Sequence, residues 1–216
     1  MIPQRSLNQQ NPRSACLFLL VGNSGSGKDA LIREVLARWS AQLPPLMAPR
    51  RYITRPAHPS EPYLALTGSR FDGMRQRGCF CLSWHAYGLD YALPFKVHAY
   101  LGRGWPVLAN VSRRIIPQAR SRFERLKVVF VHVPLAVTLD RMRRRGREDS
   151  HSREFRQRIL RAERNPHLAE ADLVLDNSGA IDTAAVRLRD YISAHTIFLH
   201  KSRPIQDAKI RQPLGQ

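Results

Sequence analysis

Gly22-Asn23-Ser24-Gly25-Ser26-Gly27-Lys28-Asp29 follows the apolar run Ala15-Cys16-Leu17-Phe18-Leu19-Leu20-Val21, and Ala30 to Trp39 reads as a helix. An apolar run of this length, stopped by glycine, has the pattern of a buried strand. Strand, glycine-rich octet and helix together make a phosphate-binding loop of the form G-x-x-x-x-G-K. Its three glycines let the chain curl so that consecutive backbone N–H groups point inward at an anion. The helix N-terminus adds its positive end, and Lys28 reaches the β- and γ-phosphates. Gly22, Asn23, Ser24, Gly25, Ser26, Gly27, Lys28 and Asp29 are therefore expected to hold ATP. One position departs from the pattern: Asp29 stands where a Ser or Thr hydroxyl usually meets Mg²⁺.

Bulk composition narrows the class. A chain of 216 residues is long enough for one domain with a lobe or lid. No stretch approaches the ~18 uninterrupted apolar residues of a membrane helix. The Ala15 to Val21 run continues straight into the glycines, so it reads as a strand and not as a signal peptide. Cys16, Cys79 and Cys81 are too few and badly spaced for a disulfide framework or a zinc site, which points to a reducing cytoplasm. The net charge of +18 fits either a protein that handles several phosphates or one that binds nucleic acid. The arginines are not interleaved with aromatics, and nine of them crowd into Arg141 to Arg161, so phosphate chemistry is the favoured reading and nucleic acid the lesser one.

Along the chain, residues 1–14 are expected to form a disordered lead-in, 15–195 a single α/β domain, and 196–216 a basic tail. Leu43-Pro44-Pro45 and Pro49 would end the first helix, and Arg51 to Thr54 would form a short strand. A loop-rich lobe over about 52–93 would contain short strands at Tyr63–Leu66 and Cys79–Trp84. Helix and strand then alternate: Phe95 to Gly102 helical, Trp105 to Val111 a strand, Ile115 to Arg125 helical, Lys127 to Val133 a strand. Pro134 opens a helix through Arg144, Leu173 to Leu175 is the last strand, and Ile181 to Ala194 closes the fold. This alternation predicts a parallel sheet with helices on both faces, plus an inserted acceptor-binding lobe and an arginine-rich lid over about 141–161.

A second cluster, Arg51-Tyr52-Ile53-Thr54-Arg55-Pro56 with His58 and Glu61, lies where a second substrate would face the transferred phosphate. Arg55 is a bidentate phosphate donor, and Tyr52 and Thr54 offer hydroxyls. As a surface strand with a proline stop, the same residues would be unremarkable.

With this cluster the chain resembles the guanylate-kinase group of P-loop phosphotransferases over about Cys16 to Ala194. Thr54-Arg55 with Glu61 match its acceptor-phosphate motif, Trp84, Gly88 and Tyr91 its small lobe, and Arg145-Gly146 its lid. Within the group it is most similar to the ribose 1,5-bisphosphate phosphokinases, through GNSGSGKD, RYITRPAH, LSWHAYGLDY, VLANVSR and RRGRED. Asp29 is typical of that branch.

The resemblance implies ATP with Mg²⁺ as phosphoryl donor and ribose 1,5-bisphosphate as acceptor. The product would be 5-phosphoribosyl 1-diphosphate, made during phosphonate breakdown through the carbon–phosphorus lyase pathway. It also implies roles for residues: Lys28, Arg145 and Arg147 in catalysis, and Tyr52, Thr54, Arg55, Glu61, Tyr91, Arg113 and Arg158 around the acceptor, with Arg156 an alternative to Arg158. Asp29 either meets Mg²⁺, directly or through water, or simply suits the helix dipole. Asp176-Asn177 lies near the adenine or is a strand-ending turn, and His85 touches the sugar or packs.

The chain departs from guanylate kinases where a guanine base would be read: Ser83 and Leu93 replace its polar partners, and Asn110 and Ser112 replace two carboxylates, with Arg113 following. His58 replaces a second acceptor arginine. A divergent guanylate kinase acting on GMP is the alternative enzyme, and a non-catalytic guanylate-kinase-like scaffold is the alternative outside enzymes.

Overall fold

β1 (Leu17–Gly22) is apolar on both sides because both of its faces are covered. Leu17, Leu19 and Val21 belong to one buried layer, and Phe18 and Leu20 to the other, all with no exposed surface. Two other strands split in the same period-2 way. These are β6 (Val107–Asn110) and β7 (Leu126–His132), where Val128 and Phe130 face the first layer, and Val129 and Val131 the second. With β8 (Leu173–Asp176) they form an all-parallel sheet in the order β6-β1-β7-β8. An isolated parallel bridge between Met47 and Val107 extends the sheet beyond β6. The computed structural model describes residues 15–57, 63–145 and 170–201.

Helices cover the two faces, as the alternation predicts. On one side lie α1 (Lys28–Ala37), through Leu31 and Val35, and α6 (Ile181–Lys201), through Ala184, Ala185, Leu188 and Ile192. On the other lie α3 (Lys96–Gly102) and α4 (Ile116–Arg122), through Val97, Leu101, Ile116 and Ala119, together with Leu82, Trp84 and Leu93 of the lobe. A 3₁₀ turn at Arg113–Ile115 precedes α4, and α5 (Leu135–Arg145) follows β7.

The lobe is a second sheet, ordered β3-β2-β5-β4, from β2 (Arg51–Ile53), β3 (Tyr63–Ala65), β4 (Phe80–Ala86) and β5 (Leu89–Pro94). Strands β2 and β3 run parallel, and the β4–β5 hairpin is antiparallel. One face of this sheet is covered by α2 (Gly68–Gln76), whose Phe71 packs with Phe80 and Ala92.

Three differences from the expected elements have local causes. The lobe is more regular than the loop-rich stretch the sequence suggests, since it holds α2 and β5. The first helix spans Lys28–Ala37 instead of Ala30–Trp39, because Gly27, left-handed at φ +85°, starts it at the loop. The last helix continues past Ala194 to Lys201. Of the two tails, residues 1–14 and 202–216 lie outside the described residues.

Candidate active site

The octet closes over itself as a phosphate loop must. Lys28 Nζ donates to the carbonyls of Gly22 (3.1 Å) and Asn23 (2.8 Å) and to Ser26 Oγ (3.1 Å), which folds the ammonium across the loop mouth. Two glycines are required by contact. A Cβ on Gly22 would lie 2.6 Å from the Val131 carbonyl oxygen, and one on Gly27 would lie 2.6 Å from Asn177 Nδ2. Asn177, buried behind the loop, donates Nδ2 to the Ser26 carbonyl at 2.8 Å. Arg141 of α5 in turn donates to the Asn177 carbonyl at 2.9 Å, so the helix leading toward the lid region is tied to the back of the loop. Asp176 works as a turn cap: the Ser178 hydroxyl and backbone N–H hold its carboxyl below the usual carboxylate range.

In front of the loop, Asp29 occupies the first turn of α1 between the two sheets. Its Oδ1 accepts from Asn110 Nδ2 at the end of β6 (2.8 Å), and Arg51 Nη2 of β2 stands 3.4 Å from both carboxylate oxygens. Arg113, expected at the acceptor, donates Nη2 to Asn23 Oδ1 at 2.8 Å and so reaches the phosphate loop itself. Ser112 caps the 3₁₀ turn, accepting from the Arg114 N–H. Lys28, Arg51 and Arg113 thus converge on a region whose carboxylate is Asp29, a surplus of positive charge suited to phosphates.

Side-chain alternation along β2 sorts the remaining acceptor candidates. Arg55 donates Nε to the Tyr63 hydroxyl (3.2 Å) and lies over the Tyr63 ring at 4.8 Å, while that hydroxyl donates to the Pro56 carbonyl. Tyr91 stacks on Trp84 with centroids 5.5 Å apart and pairs across from Ile53. Thr54 Oγ1 accepts the Asp90 N–H at 2.8 Å, pinning the strand end to the hairpin. Tyr52 turns to the opposite face, against Phe80 at 5.4 Å in the layer that α2 covers, away from Arg51 and Asp29. Ser83 pairs with Ala92 on that covered side, and Leu93 is buried core, so neither offers a base-reading group at the loop. His85 is exposed and faces Asp90 at 2.9 Å.

Glu61 and His58 lie outside the described residues, as do Arg147, Arg156 and Arg158; Arg145 is the last residue of α5. Arg51, in the acceptor cluster, and Arg141, at the start of the arginine-rich stretch, carry no individual role in the sequence; their contacts with Asp29 and Asn177 give them one.

Mg²⁺ would want hard oxygen ligands and would oppose a nearby cation. No group of three or more His, Cys, Asp or Glu side chains able to hold a metal occurs among the described residues. At Asp29, one oxygen already accepts from Asn110 and a guanidinium stands against both, so this carboxylate does not fit as a direct metal ligand. No described helix is long and apolar enough to cross a membrane.

No protein-family model matches the chain. Curated proteins do. The chain is 35% identical over 178 residues to the ribose 1,5-bisphosphate phosphokinase PhnN of Thiobacillus denitrificans, spanning 82% of this chain and 92% of that protein. It is 38% identical over 183 residues to the ribose 1,5-bisphosphate phosphokinase PhnN of Pantoea vagans, spanning 84% and 99%. Among solved structures, guanylate kinase from Anaplasma phagocytophilum superposes with a TM-score of 0.62 at 16% identity, covering 90% of this chain and 98% of that one, which is a likeness of fold.

Proposed function

The chain belongs to the ribose 1,5-bisphosphate phosphokinase family, and from that premise we propose that it transfers the γ-phosphate of ATP to the 1-phosphate of ribose 1,5-bisphosphate. The products are 5-phosphoribosyl 1-diphosphate and ADP, and the setting is phosphonate catabolism. The observation that carries this reading is identity of 35–38% over more than four fifths of the chain. The site is in keeping with it, having a phosphate loop, three converging cations and no polar group at Ser83 or Leu93 aimed at a base.

The 1-phosphate is already ionised near neutral pH, so an oxygen of it attacks the γ-phosphorus without a general base, and the bond from that phosphorus to the β-phosphate oxygen breaks. Catalysis is then positioning and charge neutralisation. The loop amides and Lys28 hold the β- and γ-phosphates, and Arg113 steadies the loop through Asn23. Arg55 orients the acceptor, and Arg145, Arg147 and Arg158 keep the charge-neutralising roles that the family resemblance implies for them. Mg²⁺ would accompany ATP and would supply charge neutralisation at its phosphates, with Asp29 kept for Arg51 and Asn110.

The test is incubation with ATP and ribose 1,5-bisphosphate, followed by phosphorus NMR. Paired diphosphate resonances of 5-phosphoribosyl 1-diphosphate, appearing with ADP, are expected. ATP left intact in the presence of the acceptor would sink the reading.

A further inference from the structure

We propose that Arg51 is a ligand of the acceptor's reacting phosphate, and that Asp29 is the positioning residue that holds Arg51 for it. This rests on the phosphotransfer reading above and deepens it by assigning two residues of its site.

The side chain of Arg51 is only 15% exposed, so its stem is confined by packing, yet its contact with Asp29 is loose and end-on. Nη2 alone engages the carboxylate, 3.4 Å from each oxygen, beyond the usual hydrogen-bond range. Nε and Nη1 have no partner among the described residues. These donors are not shut away from solvent, so the guanidinium is packed along its stem while its remaining N–H groups stay open to an incoming anion.

Its place identifies the anion. Asp29 follows Lys28, whose Nζ lies across the mouth of the phosphate loop, so the contact with Asp29 sets Arg51 next to the end of that loop. Arg51 also comes from β2, the lobe strand on whose same face Ile53 sits opposite Tyr91. It therefore bridges the ATP loop and the acceptor lobe, where the attacking phosphate must come. The carboxylate has a definite task there. It is the carboxylate that Arg51 meets among the described residues, and it faces the guanidinium with both oxygens. The Asn110 amide, buried at the end of β6, fixes the carboxylate from behind at 2.8 Å. A cation thus placed also explains why the usual metal-facing hydroxyl can be exchanged for an acid at this loop position.

The experiment uses Arg51→Ala, Arg51→Lys, Asp29→Ser and the Arg51→Ala/Asp29→Ser double variant, each checked for native circular dichroism. Binding of ribose 1,5-bisphosphate is measured calorimetrically with EDTA and no nucleotide, and turnover is titrated with Mg²⁺ and ATP. Arg51→Ala should weaken metal-free acceptor binding about a hundredfold and Asp29→Ser about tenfold. Arg51→Lys should recover part of the loss, and the double variant should be no worse than Arg51→Ala. The Mg²⁺ concentration for half-maximal rate should be unchanged throughout.

Asp29→Ser that binds the acceptor normally but needs more Mg²⁺ would overturn the positioning role and return Asp29 to the metal. Arg51→Ala that raises only the ATP KM would overturn the acceptor role. If wild-type protein itself neither binds nor phosphorylates ribose 1,5-bisphosphate, the functional reading fails first and this assignment with it.

Discussion

In the proposed reaction the phosphate loop and the acceptor lobe would divide the chemistry between them, and they are built from different parts of the chain. The loop works through its backbone. Its glycines give the curl, its amides the anion hole and Gly27 the helix start, so eight consecutive residues contain nearly the whole device. The lobe works through side chains brought together from β2, the β4–β5 hairpin and the ends of β6 and α1. Arg51 meets Asp29 across 22 positions of sequence, and Asn110 meets Asp29 across 81. A local device can be read from a local pattern; a device assembled by tertiary contacts can be named only once the contacts exist.

The largest effect should come from the loop. Lys28→Ala removes a charged donor folded over the phosphate mouth and should cost about 3–4 kcal/mol of transition-state stabilisation, read as a fall in kcat of roughly 150- to 900-fold with the fold intact. Turnover near the wild-type rate would mean that the backbone alone suffices.

Next is Gly27→Ala. The new methyl would meet Asn177 Nδ2 at 2.6 Å and would have to hold φ at +85°. Left-handed strain together with a disturbed Asn177–Ser26 bond should destabilise the protein by about 2–3 kcal/mol, seen as a lower Tm and a weakened response to ATP. An unchanged Tm would show that the loop tolerates a side chain where contact forbids one.

Thr54→Val touches only the lobe. Losing the bond from the Asp90 N–H should cost about 1 kcal/mol and raise the acceptor KM while the ATP KM stays put. Should both KM values rise together, lobe and loop are less separable than described.

The smallest effect concerns a carboxylate remote from both regions. Burial would raise the Asp172 pKa, but the Val128 N–H, with Lys127 and Arg120, outweighs it and leaves the group below its ordinary 3.8. A depressed carboxylate contributes stability that is present above its ordinary value and lost as pH falls through the lower folded value. Asp172→Asn should therefore flatten the acid limb of the Tm–pH profile below about pH 4 and leave neutral-pH kcat untouched. A changed kcat would tie this end of the sheet to the chemistry.

The parallel sheet was legible because β1, β6 and the centre of β7 carry apolar runs buried on both faces, although β8 at the edge is partly exposed. Much of the lobe was not. The segment Gly68–Gln76 carries two glycines and three charged residues and buries Phe71 fully, so its helical period is weak, and it forms because Thr67 caps it and the lobe sheet receives it. The hairpin turn at Tyr87-Gly88 has positive φ at both residues (54° and 72°), a type I′ shape that a tyrosine seldom signals, so β5 passed unnoticed. Tyr52 was read from its hydroxyl, whereas strand alternation turned it toward Phe80. Arg51 carried no motif of its own, and only the convergence of β2 on α1 gave it a place at the loop.

The central claim is that the loop transfers phosphate while the lobe selects a sugar bisphosphate over a nucleotide. Side-by-side kinetics with ribose 1,5-bisphosphate and GMP, at fixed ATP and Mg²⁺, test it most directly. Two missing base contacts, at about 1–3 kcal/mol each, predict a kcat/KM at least about thirtyfold higher for ribose 1,5-bisphosphate. A kcat/KM for GMP equal to or above that for the sugar would contradict the account and make this lobe a reader of guanine.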